Sequence, residues 1–205
     1  MNSENMDKTK ALKQIRDEVW RLTQSPLYAY RTENKYYPVL GEGSHDARVV
    51  FVGEAPGEKE AQTGRPFAGA AGKVLDRLLL DADISRGEVY IGNLVKDRPP
   101  QNRAPLPEEI ALYGPFLIRQ LEVIQPQVVA TLGRYSLQYL LQYYGAVEFG
   151  QTIAVLHGKP ITLTVSWGDA VLLPLYHPAA ALYNPSLRAV MQADMATLSG
   201  ILKQT

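Results

Sequence analysis

The chain contains no cysteine. Disulfides, thiolate zinc sites and cysteine-held iron–sulfur clusters therefore lie outside its chemistry. A long apolar run is also missing: nothing approaches the roughly 20 consecutive apolar residues that span a bilayer. The opening M-N-S-E-N-M-D-K-T-K is polar and charged, without the apolar segment of a signal peptide. A cytoplasmic protein with no membrane partner is the expectation. Charge of one sign is lacking too, because Lys plus Arg number 21 and Asp plus Glu number 21. No global basic field gathers nucleic acid, so any DNA footprint must be local. Repeats, linkers and low-complexity tracts are absent. With 46% apolar content over 205 residues, the chain can bury a core without staples, and the expectation is one domain over residues 1–205, acting as a monomer.

What is present alternates between strand and helix signals. Leu12, Ile15, Val19 and Leu22 fall at helical spacing within residues 7–22. Strands are expected at 48–52, 89–94, 128–132 and 171–176, with helices at 72–80 and 133–144 between them. A further helix should open at Pro107, with Glu108 and Glu109 in its first turn, and Gly114-Pro115 should break or kink it. Residues 152–156 and 161–165, joined across His157-Gly158-Lys159-Pro160, read as a strand pair or meander. Asn184-Pro185 should cap a last helix running toward Leu202. Strands separated by helices imply an α/β fold: three layers, α/β/α, with a central, mostly parallel sheet of about four strands flanked by helices.

The densest chemistry lies at strand ends. The apolar V-V-F-V runs straight into G-E-A-P-G at residues 53–57, then Glu60, then G-R-P-F at 64–67. This loop sits where open α/β sheets place their ligands, and it brings two carboxylates and an aromatic ring there. A second segment, N-L-V-K-D-R-P-P-Q-N-R, covers residues 93–103. In the third, a second apolar strand, V-L-L-P-L-Y, delivers His177 into H-P-A-A-A-L-Y-N-P. The turn lacks the Lys-Ser/Thr of a P-loop and any G-x-G-x-x-G, which weighs against a nucleotide- or phosphate-binding protein of the same class.

In this order the three segments resemble the uracil-DNA glycosylase superfamily, most nearly its family 4, thermostable-type branch, over roughly residues 22–200. The resemblance implies the uracil-DNA glycosylase fold and hydrolysis of the N-glycosidic bond of flipped-out deoxyuridine, in single- or double-stranded DNA, as the first step of base-excision repair. Such a bond breaks most easily when the base leaves as an anion and the sugar becomes cation-like, so the site needs a donor at the base and negative charge near the sugar. His177 suits the first role, as a neutral imidazole donating to uracil O2; its alternative is a strand-end histidine bonding the backbone. Glu54 suits the second, orienting water and balancing positive charge, and otherwise is a loop carboxylate accepting backbone N–H groups. Ala55, which the resemblance places among the uracil-binding positions, falls where the related family 1 motif G-Q-D-P-Y has its catalytic Asp, a feature shared with family 4. Family likeness puts Glu60 near the C5 edge of the base, where bulk excludes thymine; otherwise it is a solvated loop acid. Phe67 would stack on the extruded base, or merely pack in the core. Asn93 would accept from uracil N3–H and donate to O4, a pattern that cytosine reverses, or would simply be a turn residue.

The resemblance also implies DNA contacts. Leu182 or Tyr183 stands where the family pushes a wedge into the gap left by the flipped nucleotide. Arg65, Lys73, Arg188, Lys96, Arg98 and Arg103 are phosphate candidates, as is the backbone of Gly69 to Gly72 at a helix start. One implied part does not fit. Family 4 members typically hold a [4Fe-4S] cluster on four cysteines, whereas Leu22, Ser25, Asp97 and Tyr113 occupy those positions. None supplies a thiolate, so neither cluster nor other cofactor or metal is expected. A rival is a glycosylase-fold protein that binds DNA without excision, or acts on another deaminated base.

Overall fold

The computed structural model describes residues 3–204. Six strands form one sheet: β1 (Glu42–Gly43), β2 (Val49–Gly53), β3 (Tyr90–Asn93), β4 (Val128–Leu132), β5 (Ile161–Val165) and β6 (Gly168–Leu175), in the order β1-β3-β2-β4-β6-β5. The inner four, β3-β2-β4-β6, are mutually parallel, and β1 and β5 pair antiparallel at the two edges. The expected sheet of about four strands is therefore the parallel centre of a larger one. The two-residue β1 is too short to leave a sequence signal, and β5 joins β6 through a tight turn at Ser166-Trp167.

Side-chain alternation along the strands accounts for the layers. Val50, Val52, Val129 and Leu172 enter one apolar cluster with Leu12, Ile15, Val19, Leu117, Leu121 and Leu137. Val49, Phe51, Ala130, Leu173 and Leu175 enter another with Leu75, Leu79, Met191, Met195 and Leu198. Helices α1 (Ser3–Trp20), α5 (Pro107–Ile124) and α6 (Arg134–Tyr143) thus cover one face, and α4 (Ala70–Asp81) and α9 (Leu187–Lys203) the other. Strands β2, β3 and β4 are buried on both faces along their whole length, as parallel strands between helical layers must be. Among the described residues, no helix is long and apolar enough to cross a membrane.

Three local expectations are corrected. Residues 152–156 are not a strand: Ile153–Leu156 forms a short helix, α7. Strand β5 pairs with β6 instead, and His157 Nδ1 bonds the Asp194 carboxylate (2.9 Å), drawing the segment onto α9. Of the break or kink expected at Gly114-Pro115, the break does not occur, because α5 runs through Pro115. Gly114 is needed there for packing, since a Cβ would collide with the Tyr139 ring. Asn184 is not the N-cap of α9, which begins at Leu187. Its Oδ1 instead accepts from Ser186 N–H (3.2 Å) and Oγ–H (2.6 Å), closing an Asx turn before the helix. The short helices α2 (Tyr28–Glu33), α3 (Glu58–Thr63) and α8 (Ala180–Tyr183) complete the fold, and the last two flank the site.

Candidate active site

The carboxyl ends of β2, β3 and β6 surround a cavity of about 330 Å³ lined by Glu54, Ala55, Glu60, Phe67, Asn93 and His177, together with Gly57, Ala71, Asn102 and Ala179. All six residues expected at the catalytic and base-reading positions therefore converge, although they are spread over more than 120 positions of sequence. The sheet makes this happen: Gly53 and Asn93 stand opposite each other in parallel register, and β4 separates β2 from β6 and His177. Beyond the ladder, Leu94 N–H donates to Gly53 O and Val95 N–H to Glu54 O, each at 3.0 Å, so the loops after β2 and β3 travel together.

Glycines allow the close approaches. A Cβ on Gly53 would strike the Asn93 carboxamide oxygen and come within 2.9 Å of the Phe67 ring. A Cβ on Gly57 would sit 2.6 Å from Glu60 Oε2. Phe67 itself holds a left-handed backbone (φ 50°), a conformation that costs a non-glycine residue on the order of 1–3 kcal/mol and is concentrated at functional sites. Packing of its carbonyl against Gly72, where no Cβ could be accommodated, helps to hold it. Its ring lies 5.7 Å from the His177 ring at 31°.

His177 is set as a neutral donor. Ala179 N–H donates to Nδ1 at 3.2 Å, which leaves the proton on Nε2. Burial pushes the imidazole down to about 4, against a smaller opposing pull from Glu60. Glu54 is pushed above the usual carboxylate range by burial, with Arg134 drawing it back. Glu60 is tied to the helix after the loop: its Oε1 accepts from Gly69 N–H at 2.8 Å.

The outlying residues are less uniform. Arg65 reaches outward to a bidentate pair with Glu42 (2.7 and 2.9 Å). Lys73, Arg188, Leu182 and Tyr183 are exposed, Tyr183 to 88%. The Gly69 amide is taken by Glu60 rather than open to an anion. The other three cations named as phosphate candidates are engaged within the protein. Lys96 is fully buried, Arg98 is held by the Tyr30 and Tyr36 hydroxyls (3.0 Å each) and Asn102, and Arg103 pairs with the buried Glu109 (2.6 Å). Asn102 escaped the sequence reading although it lies inside the 93–103 motif. It lines the cavity with a left-handed backbone (φ 54°) and accepts from Arg98 Nε–H at 2.8 Å. An Asn in a Pro-rich loop is a signal for that conformation. Arg134 beside Glu54 was also missed, and nothing in R-Y-S-L distinguishes it from a surface arginine.

The four positions that the family fills with cysteine lie near one another and do not suit a cluster. Tyr113 OH donates to Asp97 Oδ2 (2.6 Å) and contacts Ser25 Oγ (2.7 Å), while Arg31 pairs with the same carboxylate (3.1 Å) and donates to Val19 O and Trp20 O. Leu22 packs in the adjoining core. These side chains satisfy one another, and none is a soft ligand for iron. Among the described residues no three His, Cys, Asp or Glu side chains gather as a metal site.

A family model described as the uracil DNA glycosylase superfamily matches residues 40–198. A type-4 uracil-DNA glycosylase of Thermotoga maritima is 40% identical over 195 residues, covering 93% of this chain and 94% of its own length. One from Sulfurisphaera tokodaii is 41% identical over 185 residues, 90% of this chain and 81% of that protein. A type-5 uracil-DNA glycosylase of Thermus thermophilus is 35% identical over 155 residues, 68% of each chain. A family match running from just before β1 into the last helix, over the same motifs that close the cavity, makes this chain a member of the uracil DNA glycosylase superfamily.

Proposed function

We infer that this protein is a uracil-DNA glycosylase that hydrolyses the N-glycosidic bond of deoxyuridine in DNA, releasing uracil and leaving an abasic site. The observation that carries this reading is the convergence of a neutral His177, Phe67, Asn93 and two carboxylates on one cavity at the strand ends. A flipped uracil stacks on Phe67 in place of its lost neighbours. Asn93 accepts from N3–H and donates to O4. As the bond from C1′ to N1 breaks, its electron pair stays on the base, and His177 Nε2–H donates to O2 where the charge collects. Glu54 balances the cation-like sugar and orients the water whose oxygen bonds C1′; its raised affinity for a proton suits it to take one from that water. Glu60, fixed by Gly69, guards the C5 edge against thymine. Outside the pocket, Leu182 or Tyr183 fills the vacated stack, and Arg65, Lys73 and Arg188 meet phosphates. The protein works as a monomer on single- or double-stranded DNA, without an iron–sulfur cluster, the Arg31–Asp97–Tyr113–Ser25 network tying together the chain segments at that place.

Incubation with oligonucleotides carrying uracil, thymine, cytosine or hypoxanthine at one labelled position, followed by chromatography of free bases, tests the reading. Uracil alone or in clear excess is expected; no released base from any substrate would refute it. Asn93→Asp sharpens the test of the base edge. A carboxylate accepts from cytosine's exocyclic amine, and its protonated form serves cytosine N3. Uracil release should fall and cytosine release become measurable. A variant that cuts uracil like the parent and ignores cytosine would remove Asn93 from base reading.

A further inference from the structure

Lys96 is the one lysine among the described residues whose side chain is wholly buried, and its position is hard to explain as packing alone. A buried ammonium costs several kcal/mol unless its donors are met, and burial pushes this one down to about 7. Its Nζ donates to two neutral oxygens, the backbone carbonyl of Asn93 and the Oε1 of Gln120, at 2.6 Å each. Both distances are short, as expected of charge-assisted hydrogen bonds. Gln120, on α5, is itself fixed: its amide donates to Leu40 O (2.9 Å) and Tyr90 OH (3.2 Å).

The Asn93 carbonyl is the group this arrangement serves. Asn93 is the last residue of β3, and β1, the outer neighbour of β3, pairs only with Tyr90 and Ile91. The ladder thus stops short of Asn93 on that side. A strand-end carbonyl with no sheet partner needs another donor if it is buried, and Lys96, three residues on, turns back to supply it. From these contacts we propose that Lys96 is a positioning residue for base recognition: anchored to α5 through Gln120, its ammonium fixes the backbone of Asn93 so that the carboxamide meets the uracil edge at the productive angle. This rests on the reading of Asn93 as the base-reading residue. It also explains why a lysine is kept beneath the pocket where methionine would pack, since a base-reading group displaced by about 1 Å can lose most of its catalytic benefit.

A double-mutant cycle tests the link. Lys96→Met matches the length of the side chain and removes both hydrogen bonds. In the parent background it should lower the single-turnover rate of uracil excision about 10- to 100-fold, the scale of a lost charge-assisted hydrogen bond, while DNA binding changes less than about threefold. In an Asn93→Ala background the same substitution should cost less than about twofold, because its only route to the base is gone. An equal loss in both backgrounds would overturn the proposal, as would a Lys96→Met enzyme with parental activity. An Asn93→Ala enzyme as active as the parent would overturn the base-reading role itself, and this link with it. If Lys96→Met fails to fold, Gln120→Met, which removes one of the two acceptors and leaves the lysine, is run through the same cycle with the same attenuation expected and the same outcome fatal.

Discussion

His177→Ala should excise uracil about 10²- to 10³-fold more slowly than the parent, the usual cost of removing one donor aimed at developing negative charge. The fold and single-strand DNA binding should persist, because the ring makes a single backbone hydrogen bond, from Ala179. Activity within about threefold of the parent would mean that this imidazole does not face the departing base. The pH behaviour gives an independent check. An ordinary histidine titrates near 6.5, and His177 is held down at about 4, so between those values the unfolded chain binds a proton that the native site refuses. Its contribution to stability is present above pH 6.5 and is lost as pH falls through about 4. Chemical denaturation across that window should show the parent losing stability on acidification relative to His177→Ala. Parallel stability curves would show that burial does not hold the ring neutral.

Arg31→Ala should be the most damaging single change away from the pocket. Asp97 is buried with Arg31 and Tyr113 on its carboxylate and Ser25 bonded to Tyr113 behind them, and breaking a buried pair by removing one partner costs about 3–5 kcal/mol. Burial already holds Asp97 above the usual carboxylate range, with Tyr113 and Arg31 pulling it back, and without Arg31 the rise should be larger. A group raised in the folded state contributes stability at low pH that is lost as pH rises through its folded value. The deficit of Arg31→Ala should therefore be greatest at neutral pH and shrink in acid. Loss of less than about 1 kcal/mol, or a deficit that grows in acid, would show that the network bears little of the fold's stability.

The pocket was more legible in the sequence than the sheet that builds it. Glu54, Glu60, Phe67, Asn93 and His177 stand in short motifs whose residue types match the bond to be broken, and the four central strands announce themselves as apolar runs ended by Gly, Asn or His. What escaped depended on distant partners. Residues 152–156 read as an apolar strand beside 161–165, yet β5 takes β6 as its partner and the segment coils into a short helix held against α9 through His157 and Asp194. Gly114-Pro115 looks like a helix breaker, but one residue is fitted to the Tyr139 ring and the helix continues. Lys96 and Arg98 read as surface cations beside a DNA-binding motif, and only the tertiary fold shows both turned inward. At the former cysteine positions the sequence announced what was missing. It did not announce Arg31, 66 residues from Asp97, whose guanidinium completes the replacement.

The most direct test measures iron and uracil release on one preparation. The protein is purified without added iron, its metal content determined, and the same sample incubated with a labelled single-stranded oligonucleotide bearing one uracil. A colourless sample with no stoichiometric iron that releases free uracil, and loses that activity in His177→Ala, is the predicted result. A brown, iron-bearing protein, or a colourless one that releases no uracil, would contradict the account.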